Sequence, residues 1–264
     1  MLSEARFLDE QGRLQQWPSK RHDKLLVLAY LATKFRHEVV YSEVEVNELL
    51  KKWHTFSDWP LLRRELFDSG FLSREPDGSN YQLKKLATGL EDLVLVRPNI
   101  QDDAPLAVKW LEGPSGRETL RLMANTDAQN KPSTLEEEQQ RLREFITSTN
   151  QITWMLRYHG QTVGAVWLSL DPTNYLPAPS IHIMIGDLKA RGQGIGRAAF
   201  KALIEQAEKD GQHEYLYSRH LLDNVGSAKL LQSIGFIEYG KCYKDDDGLS
   251  FQNVKLNLKT YLAS

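Results

Sequence analysis

The sequence contains a single cysteine, Cys242, among its 264 residues. One cysteine excludes an intramolecular disulfide and a cysteine-rich zinc site. Long apolar runs are also missing. The longest, Leu25 to Ala32, has eight residues, whereas a membrane-spanning helix needs about 20. The charged N-terminal stretch lacks the apolar segment of a secretory signal. These absences predict a cytoplasmic protein that has no membrane partner.

Neither sign of charge is in clear excess. The chain has 33 Lys and Arg against 35 Asp and Glu, and residues 1–89 have 14 against 13. A nucleic-acid-binding domain is usually strongly basic, so this balance argues against nucleic acid as a partner and leaves open only a local basic patch. With 41% hydrophobic residues, the composition is typical of globular domains with a sizeable core.

Residues 1–89 predict three short helices followed by a hairpin, which is the outline of a winged-helix domain. Apolar residues at helical spacing mark the first helix. Ser42 and Glu45 form a capping box before the second helix, and Asp58 caps the third. The hairpin surrounds the turn Pro76-Asp77-Gly78. We place the end of this domain in the segment 84–93.

Residues 90–264 predict an α/β domain in which strands alternate with helices. A capping box at Thr134 and Glu137 starts one of the helices. Strands are predicted at 93–98, on either side of His159-Gly160-Gln161, and at 180–187, 214–222, 237–244 and 251–258. Helices are predicted at 103–111, 135–146, 191–210 and 224–234.

The most informative segment is SIHIMIGDLKARGQGIGRAAF, in which a β-branched strand leads into a glycine-rich turn and an amphipathic helix. Glycines at 192, 194 and 196 allow a ligand to approach the backbone closely. The free N–H groups of the first helical turn point toward such a ligand and favour an anion. The segment therefore predicts a phosphate or pyrophosphate site, and its alternative is a turn that only packs helix against strand.

Two other nucleotide motifs match in part. Gly194 to Ala199 fits the G-x-G-x-x-A dinucleotide pattern, but it does not occupy the first turn of a βαβ unit. Gly235 to Cys242 nearly fits a P-loop, but it lacks the Ser or Thr that holds magnesium and lies between predicted strands. The P-loop is discounted, and the dinucleotide hypothesis stays open.

Two motifs in register resemble the GCN5-related N-acetyltransferases (the GNAT family). Arg191-Gly192-Gln193-Gly194-Ile195-Gly196 resembles the Arg/Gln-x-x-Gly-x-Gly/Ala pyrophosphate loop of that family. Downstream, DNVGSAKLLQSIGF resembles its second signature, in which an Asn opens a helix that ends in Gly-Phe. The resemblance covers about residues 94–258. It implies a mixed sheet that admits acetyl-coenzyme A (acetyl-CoA) between its splayed fourth and fifth strands.

The resemblance also implies how the cofactor is held, without any metal ion. The backbone of Met184, Ile185 and Gly186 would pair with the pantetheine amides. The backbone amides from Arg191 to Gly196 would hold the pyrophosphate. Asn224 would contact the pantetheine arm, directly or through water. Arg197 would reach a phosphate, and its alternative is an exposed helix arginine without such a contact.

The sequence departs from many relatives at Leu231, where they have a tyrosine that protonates the departing thiolate. Leucine has no proton to give. Asn224-Val-Gly-Ser227 instead resembles the branch that acetylates ribosomal-protein N-termini and polyamines, in which a serine is the proposed acid. Ser227 is therefore one candidate acid and Tyr243 a second. His182 is the candidate base, since imidazole titrates near neutrality. The alternatives are a helix-start hydrogen bond for Ser227 and simple packing for His182.

The first part of the chain resembles a bacterial domain family of uncharacterised function that occurs alone, in regulators and next to acetyltransferases. The resemblance lies at Trp17-Pro18-Ser19-Lys20, Tyr41 to Asn47 and Leu62-Arg63-Arg64. In a winged helix, Arg63, Arg64 and Arg74 could touch phosphates. The near-neutral charge favours a structural or protein-interaction role.

These observations predict an acyltransferase that moves the acetyl group of acetyl-CoA to a primary amine of a small molecule or a peptide N-terminus by direct attack. The alternative is a transcriptional regulator whose second domain senses acetyl-CoA while the first binds DNA. The departure at Leu231 keeps this alternative open. A homodimer is compatible with either hypothesis.

Overall fold

The first part of the chain is built from three helices and a small sheet. The computed structural model describes residues 4–126, 129, 131–209 and 213–261. A short 3₁₀ helix at Glu4–Phe7 precedes helices α1 (Arg21–Ala32), α2 (Glu43–Lys52) and α3 (Trp59–Asp68). Strands β1 (Tyr41–Ser42), β2 (Leu72–Arg74) and β3 (Asn80–Leu83) form an antiparallel sheet in the order β1-β3-β2.

The helix starts of this part follow the local chemistry of the sequence. The capping box is confirmed, because the Glu45 N–H donates to Ser42 Oγ at 3.3 Å and the Ser42 N–H donates to Glu45 Oε2 at 2.7 Å. Asp58 accepts from the Leu61 N–H at 3.1 Å. Such caps satisfy N–H groups that have no partner inside the helix.

The second part is one large sheet with helices on both faces. Its strands are β4 (Lys85–Ala87), β5 (Leu93–Val96), β6 (Gln151–Tyr158), β7 (Gln161–Ser169), β8 (Ser180–Ile185), β9 (Tyr215–Leu221), β10 (Ile237–Glu238), β11 (Tyr243–Lys244) and β12 (Ser250–Asn257). Its helices are α4 (Ile100–Trp110), α5 (Gly113–Leu122), α6 (Leu135–Thr147), α7 (Ile195–Lys209), α8 (Val225–Ile234) and α9 (Leu258–Tyr261).

The order across this sheet is β10-β12-β9-β8-β7-β6-β5-β4, and β11 pairs with β12. All neighbours run antiparallel except β8 and β9, which are parallel. Counted from β5, these two are the fourth and fifth strands. The predicted mixed α/β sheet is therefore confirmed.

Several elements differ from the sequence-based expectation, among them β1, β4 and α9, which were not predicted. Helix α7 starts at Ile195 and not at 191, because Gly192 and Gly194 have φ of +78° and +80° and cannot continue a helix; the predicted last residue, 210, lies outside the described part. The predicted strand 237–244 is two short strands, β10 and β11, which both pair with β12. Gly240 lies between them with φ +73°. Helix α5 is not among the predicted elements, although its Pro114 suits a first turn.

One hydrophobic core continues from the first part of the chain into the second. Buried residues of α1, α2 and the turn after α3 pack with buried residues of β5, α4, α6 and β6. From the second part these include Val96, Ile100, Ala104, Leu142, Ile146 and Met155. Arg143 of α6 also pairs with Glu4 at 3.2 Å, and both side chains are largely buried. The predicted division into 1–89 and 90–264 thus runs along a packed interface.

We expect a chain that starts at Lys84 to unfold at a lower temperature than the full chain. Removing residues 1–83 uncovers apolar side chains that the shared core now buries, and each buried side chain of this size contributes about 1.5 to 3 kcal/mol. Circular dichroism during heating measures the difference. Adding residues 1–83 as a separate chain should restore part of it, and an unchanged unfolding temperature would show that the interface contributes little.

Candidate active site

The sheet opens between β8 and β9. These strands share one register pair, Ser180 with Tyr217, among the residues that the structure describes. The Tyr217 N–H donates to Pro179 O at 2.9 Å, and Ser218 Oγ donates to Ile181 O at 2.8 Å. Beyond this point the strands diverge and leave a V-shaped opening. This is the splay that the family resemblance implied between the fourth and fifth strands.

The backbone of β8 presents alternate residues to this opening. The N–H groups of Gly186 and Asp187 both donate to Val163 O, at 2.9 and 3.1 Å, which is the arrangement of a β-bulge. Because hydrogen-bonding direction alternates along a strand, Met184 also points its peptide groups toward β7, while Ile183 and Ile185 point theirs into the opening. Of the three predicted backbone positions, Ile185 therefore faces the splay and the Gly186 amide turns away from it.

Two glycines allow the close packing around β8. A Cβ on Gly164 would lie 2.1 Å from Met184 O, and a Cβ on Gly186 would lie 2.3 Å from the Trp110 ring. Neither distance is tolerated by a real side chain. Glycine at these positions lets β7 and α4 press against the strand that borders the opening.

The predicted pyrophosphate loop lies at the end of β8, directly before α7. Residues 192–194 are exposed, and Gly192 and Gly194 are left-handed with open space around them. The Ala198 N–H makes a helical hydrogen bond to Gly194 O at 3.1 Å. The N–H groups of the three preceding residues therefore lie in the first turn, where a helix has no partner for them. This geometry suits an anion.

The two arginines of the loop differ in their surroundings. Arg191 donates through Nε to Ile185 O at 2.9 Å and through Nη2 to Thr119 Oγ1 at 2.8 Å. Its side chain thus holds the loop to β8 and α5. Arg197 is exposed on the first turn of α7. We retain the prediction that the backbone of the loop and Arg197 contact phosphate.

The second motif forms the opposite side of the opening. Asn224 caps α8 by accepting from the Ser227 N–H at 3.0 Å, and its Nδ2 donates to Leu122 O at 3.4 Å. Within the described chain, the Ser227 hydroxyl has no hydrogen-bond partner, and the residue is partly buried. Leu231 is 2% exposed and packs in the core beneath α8. The position at which many relatives have a tyrosine is therefore occupied here by a core leucine.

Helix α5 bridges both motifs. Its Arg121 pairs with Asp223 at 2.6 Å, one residue before Asn224, and its Thr119 receives Arg191 from the glycine-rich loop. This helix, which the sequence pattern did not reveal, ties together the two edges of the opening. The Gly-Pro start of GPSGRETLRL was the signal that could have indicated it.

His182 projects from β8 on the face opposite Ile181 and Ile183. Its ring stacks on Trp167 with centroids 5.4 Å apart, and its Nε2 lies 3.0 Å from Ser180 Oγ. Burial, and secondly the charge of Arg219, lower the pKa of His182 to about 4. The imidazole is therefore neutral at pH 7, and its low pKa makes it a weak base.

Tyr243 lies on the same face but is held by neighbours. Its hydroxyl donates to Asn253 Oδ1 at 3.1 Å and accepts from Arg219 Nη1 at 3.3 Å. Its ring stacks on Tyr175 with centroids 5.2 Å apart. Of the two candidate acids, Ser227 has a hydroxyl without a hydrogen-bond partner among the described residues, whereas Tyr243 must break a hydrogen bond before it can donate elsewhere.

We expect the NMR signal of the His182 ring to titrate near pH 4 and not near 6.5. Arg219→Gln should raise that pKa, because a nearby positive charge that opposes protonation is removed. The C2 proton shift, assigned by its loss in His182→Gln, measures both values. A wild-type midpoint near 6.5 would show that the ring is neither buried nor close to the guanidinium.

The described part of the chain holds no cluster of metal ligands, since no three His, Cys, Asp or Glu side chains converge there in a way that could hold a metal ion. None of the helices in these residues combines the length and hydropathy that a membrane span requires.

Comparisons with known proteins agree with this geometry. The family profile of an acetyltransferase (GNAT) domain matches residues 92–237. A second profile, of an uncharacterized protein conserved in bacteria (DUF2087), matches residues 13–83. No curated protein matches the chain in sequence.

Several solved structures share the fold at low sequence identity. The microcin C7 self-immunity acetyltransferase MccE, in complex with acetyl-CoA and AMP, has 14% identity and a TM-score of 0.53 over 64% of this chain and 93% of its own. An acetyltransferase from Salmonella typhimurium that modifies the N-terminal serine of a 50S ribosomal subunit protein has 16% identity and 0.53 over 66% and 99%. The aminoglycoside acetyltransferase AAC(6')-Ib, in complex with coenzyme A, has 15% identity and 0.52 over 65% and 98%.

Proposed function

Because the chain belongs to the GNAT acetyltransferase family, we propose that it transfers the acetyl group of acetyl-CoA to a primary amine of a small molecule or a peptide N-terminus. The observation that carries this proposal is the opening between β8 and β9, which has the glycine-rich start of α7 at one edge and Asn224 at the other. Similar proteins bind acetyl-CoA or coenzyme A and modify a ribosomal protein N-terminus or aminoglycosides.

In this proposal the cofactor lies in the opening as an additional strand. Its pantetheine amides pair with the peptide groups of Ile183 and Ile185, and its pyrophosphate accepts from the first-turn amides of α7. Both interactions use backbone groups that are oriented before the ligand arrives, so little ordering of the protein opposes binding.

The amine nitrogen attacks the thioester carbonyl carbon directly. A strand amide near Ile185 stabilises the oxyanion that forms. When the carbon–sulfur bond breaks, the thiolate takes a proton from Ser227, and the amine loses its own proton to His182 or to water. The depressed pKa of His182 keeps it unprotonated at neutral pH but also makes it a weak proton acceptor, so water shares this role.

The first part of the chain is proposed as a winged-helix domain with a structural role. Its order is helix, short strand, two helices and a hairpin. Of the three arginines that could have contacted phosphates, Arg63 pairs with Glu43 and Asn47, each at 2.6 Å, and Arg74 lies over the Phe67 ring. These contacts and the shared core favour a structural role over nucleic-acid binding.

Calorimetry and a thiol-release assay test the proposal together. Acetyl-CoA should bind far more tightly than NAD, and free thiol should appear only when an amine is added. Comparable or tighter binding of NAD would favour the dinucleotide hypothesis. Binding of acetyl-CoA without thiol release for any amine or peptide would instead indicate a sensor.

A further inference from the structure

Arg219 occupies the edge of the opening that faces His182. Ser180–Tyr217 is the one register pair of the two parallel strands among the described residues, and His182 and Arg219 each follow it by two residues. Because side chains alternate along a strand, both lie on the same face, one on each side of the splay. The Arg219 guanidinium and the His182 imidazole therefore border the same opening, and the positive charge of Arg219 adds to burial in lowering the pKa of His182.

The guanidinium of Arg219 makes one hydrogen bond among the described residues. Arginine has five N–H donors, and in the structure Nη1 donates to the Tyr243 hydroxyl at 3.3 Å while the guanidinium carbon lies 4.2 Å from the Phe251 ring centre. No carboxylate within the described residues pairs with it. The residue is nevertheless partly buried.

Hydrogen bonds and stacked rings fix the side chains that lie next to Arg219. Tyr243 donates to Asn253, whose Nδ2 in turn donates to Tyr175 O at 2.6 Å. The strand connection before β8 is thereby fixed over the cluster, and the Tyr175 ring stacks on Tyr243. On the other face of the sheet, Ile181 and its neighbours are packed against α7 and α8. An acceptor amine must therefore approach from the Arg219 side.

We propose that the acceptor amine carries an oxyanion group, a carboxylate or a phosphate, a few bonds from its nitrogen, and that Arg219 binds this group. The inference rests on the proposed acetyltransferase function. A partly buried cation is costly when, as for Arg219 among the described residues, no carboxylate pairs with it, and the planar fork of arginine matches carboxylate and phosphate oxygens. With the oxyanion on Arg219, the amine lies beside the opening and close to His182.

Acceptors that differ only in the anionic group test this specificity. Alanine is compared with ethylamine, lysine with cadaverine, and phosphoethanolamine with ethanolamine, and kcat/KM is measured by thiol release at saturating acetyl-CoA. We expect the anionic member of at least one pair to be favoured about 10- to 100-fold, as for a hydrogen-bonded charged group. The amino acid pairs and the phosphate pair distinguish the two sources of the oxyanion.

Arg219→Gln should remove this preference mainly through KM, and Arg219→Lys should retain part of it. The affinity for acetyl-CoA, measured by calorimetry, should stay within about twofold in both, which shows that the fold is intact. Arg64→Gln, which changes an exposed arginine of α3, is the matched control.

Equal or better use of the uncharged partner in every pair, or a preference that survives in Arg219→Gln, would overturn the inference and leave the acetyltransferase function in place. Thiol release with none of these amines would also overturn it. Failure to bind acetyl-CoA would remove the proposed function itself.

Discussion

Gly194→Val should weaken the binding of acetyl-CoA about 100-fold or more, since backbone strain and lost charge-assisted hydrogen bonds act together. Gly194 has φ +80°, a conformation that a β-branched residue rarely adopts. The valine would pull the loop out of shape and place methyl groups where the pyrophosphate approaches the start of α7. Calorimetry with acetyl-CoA measures the loss.

The control is Gly78→Val, which places a valine in the same left-handed backbone conformation but far from the glycine-rich loop. Gly78 has φ +78° and, as at Gly194, a Cβ added there would have no atom within 4 Å, but it lies in the hairpin of the first part. Gly78→Val should lower stability without changing affinity for acetyl-CoA. If both variants bind equally, the glycine-rich loop does not contact the cofactor.

Ser227→Ala should lower kcat about 10- to 1000-fold, the range of one general-acid contribution with water as a partial substitute. Its hydroxyl has no partner within the described chain, is partly buried and begins the helix that borders the opening. The cofactor affinity should change little, because the lost interaction belongs to the transition state. Steady-state kinetics and calorimetry separate the two effects.

Tyr243→Phe is the matched comparison, since it removes the rival hydroxyl at nearly constant shape. Its hydroxyl is already engaged by Asn253 and Arg219, so we expect a smaller loss of kcat than in Ser227→Ala. Full activity in Ser227→Ala together with a large loss in Tyr243→Phe would assign the acid to Tyr243. Full activity in both would show that the thiolate leaves without a side-chain acid.

Local chemistry explains which features could be predicted from the sequence. Gly192 and Gly194 need no distant partner to form a left-handed turn before a helix, and Asn224 caps α8 with its own side chain. The strand, turn and helix that carry both motifs were therefore predictable, and the family profile confirms the resemblance that they suggested. Leu231, which departs from the family pattern, is buried under its helix.

Long-range geometry explains what was missed. His182 and Arg219 come together only because Ser180 pairs with Tyr217, and register between distant strands leaves no local mark in the sequence. The contact between Glu4 and Arg143 was unpredictable because it joins a 3₁₀ helix and α6, which are far apart in the sequence. The direction of the Gly186 amide also depends on a bulge opposite Val163. The alternation of apolar residues along the strand does not indicate this bulge.

Among the described residues, β8 and β9 share a single register pair, so the two halves of the sheet are joined mainly at one end of these strands. A ligand in the opening would supply the hydrogen bonds that the two halves do not make with each other, and the sheet would be continuous only in the complex. Deuterium uptake at the amides of Ile183 and Ile185 would then be fast in the free protein and slow in the loaded one. In the proposed complex the pantetheine arm would therefore complete the sheet as an extra strand, which is present only while acetyl-CoA or coenzyme A is bound.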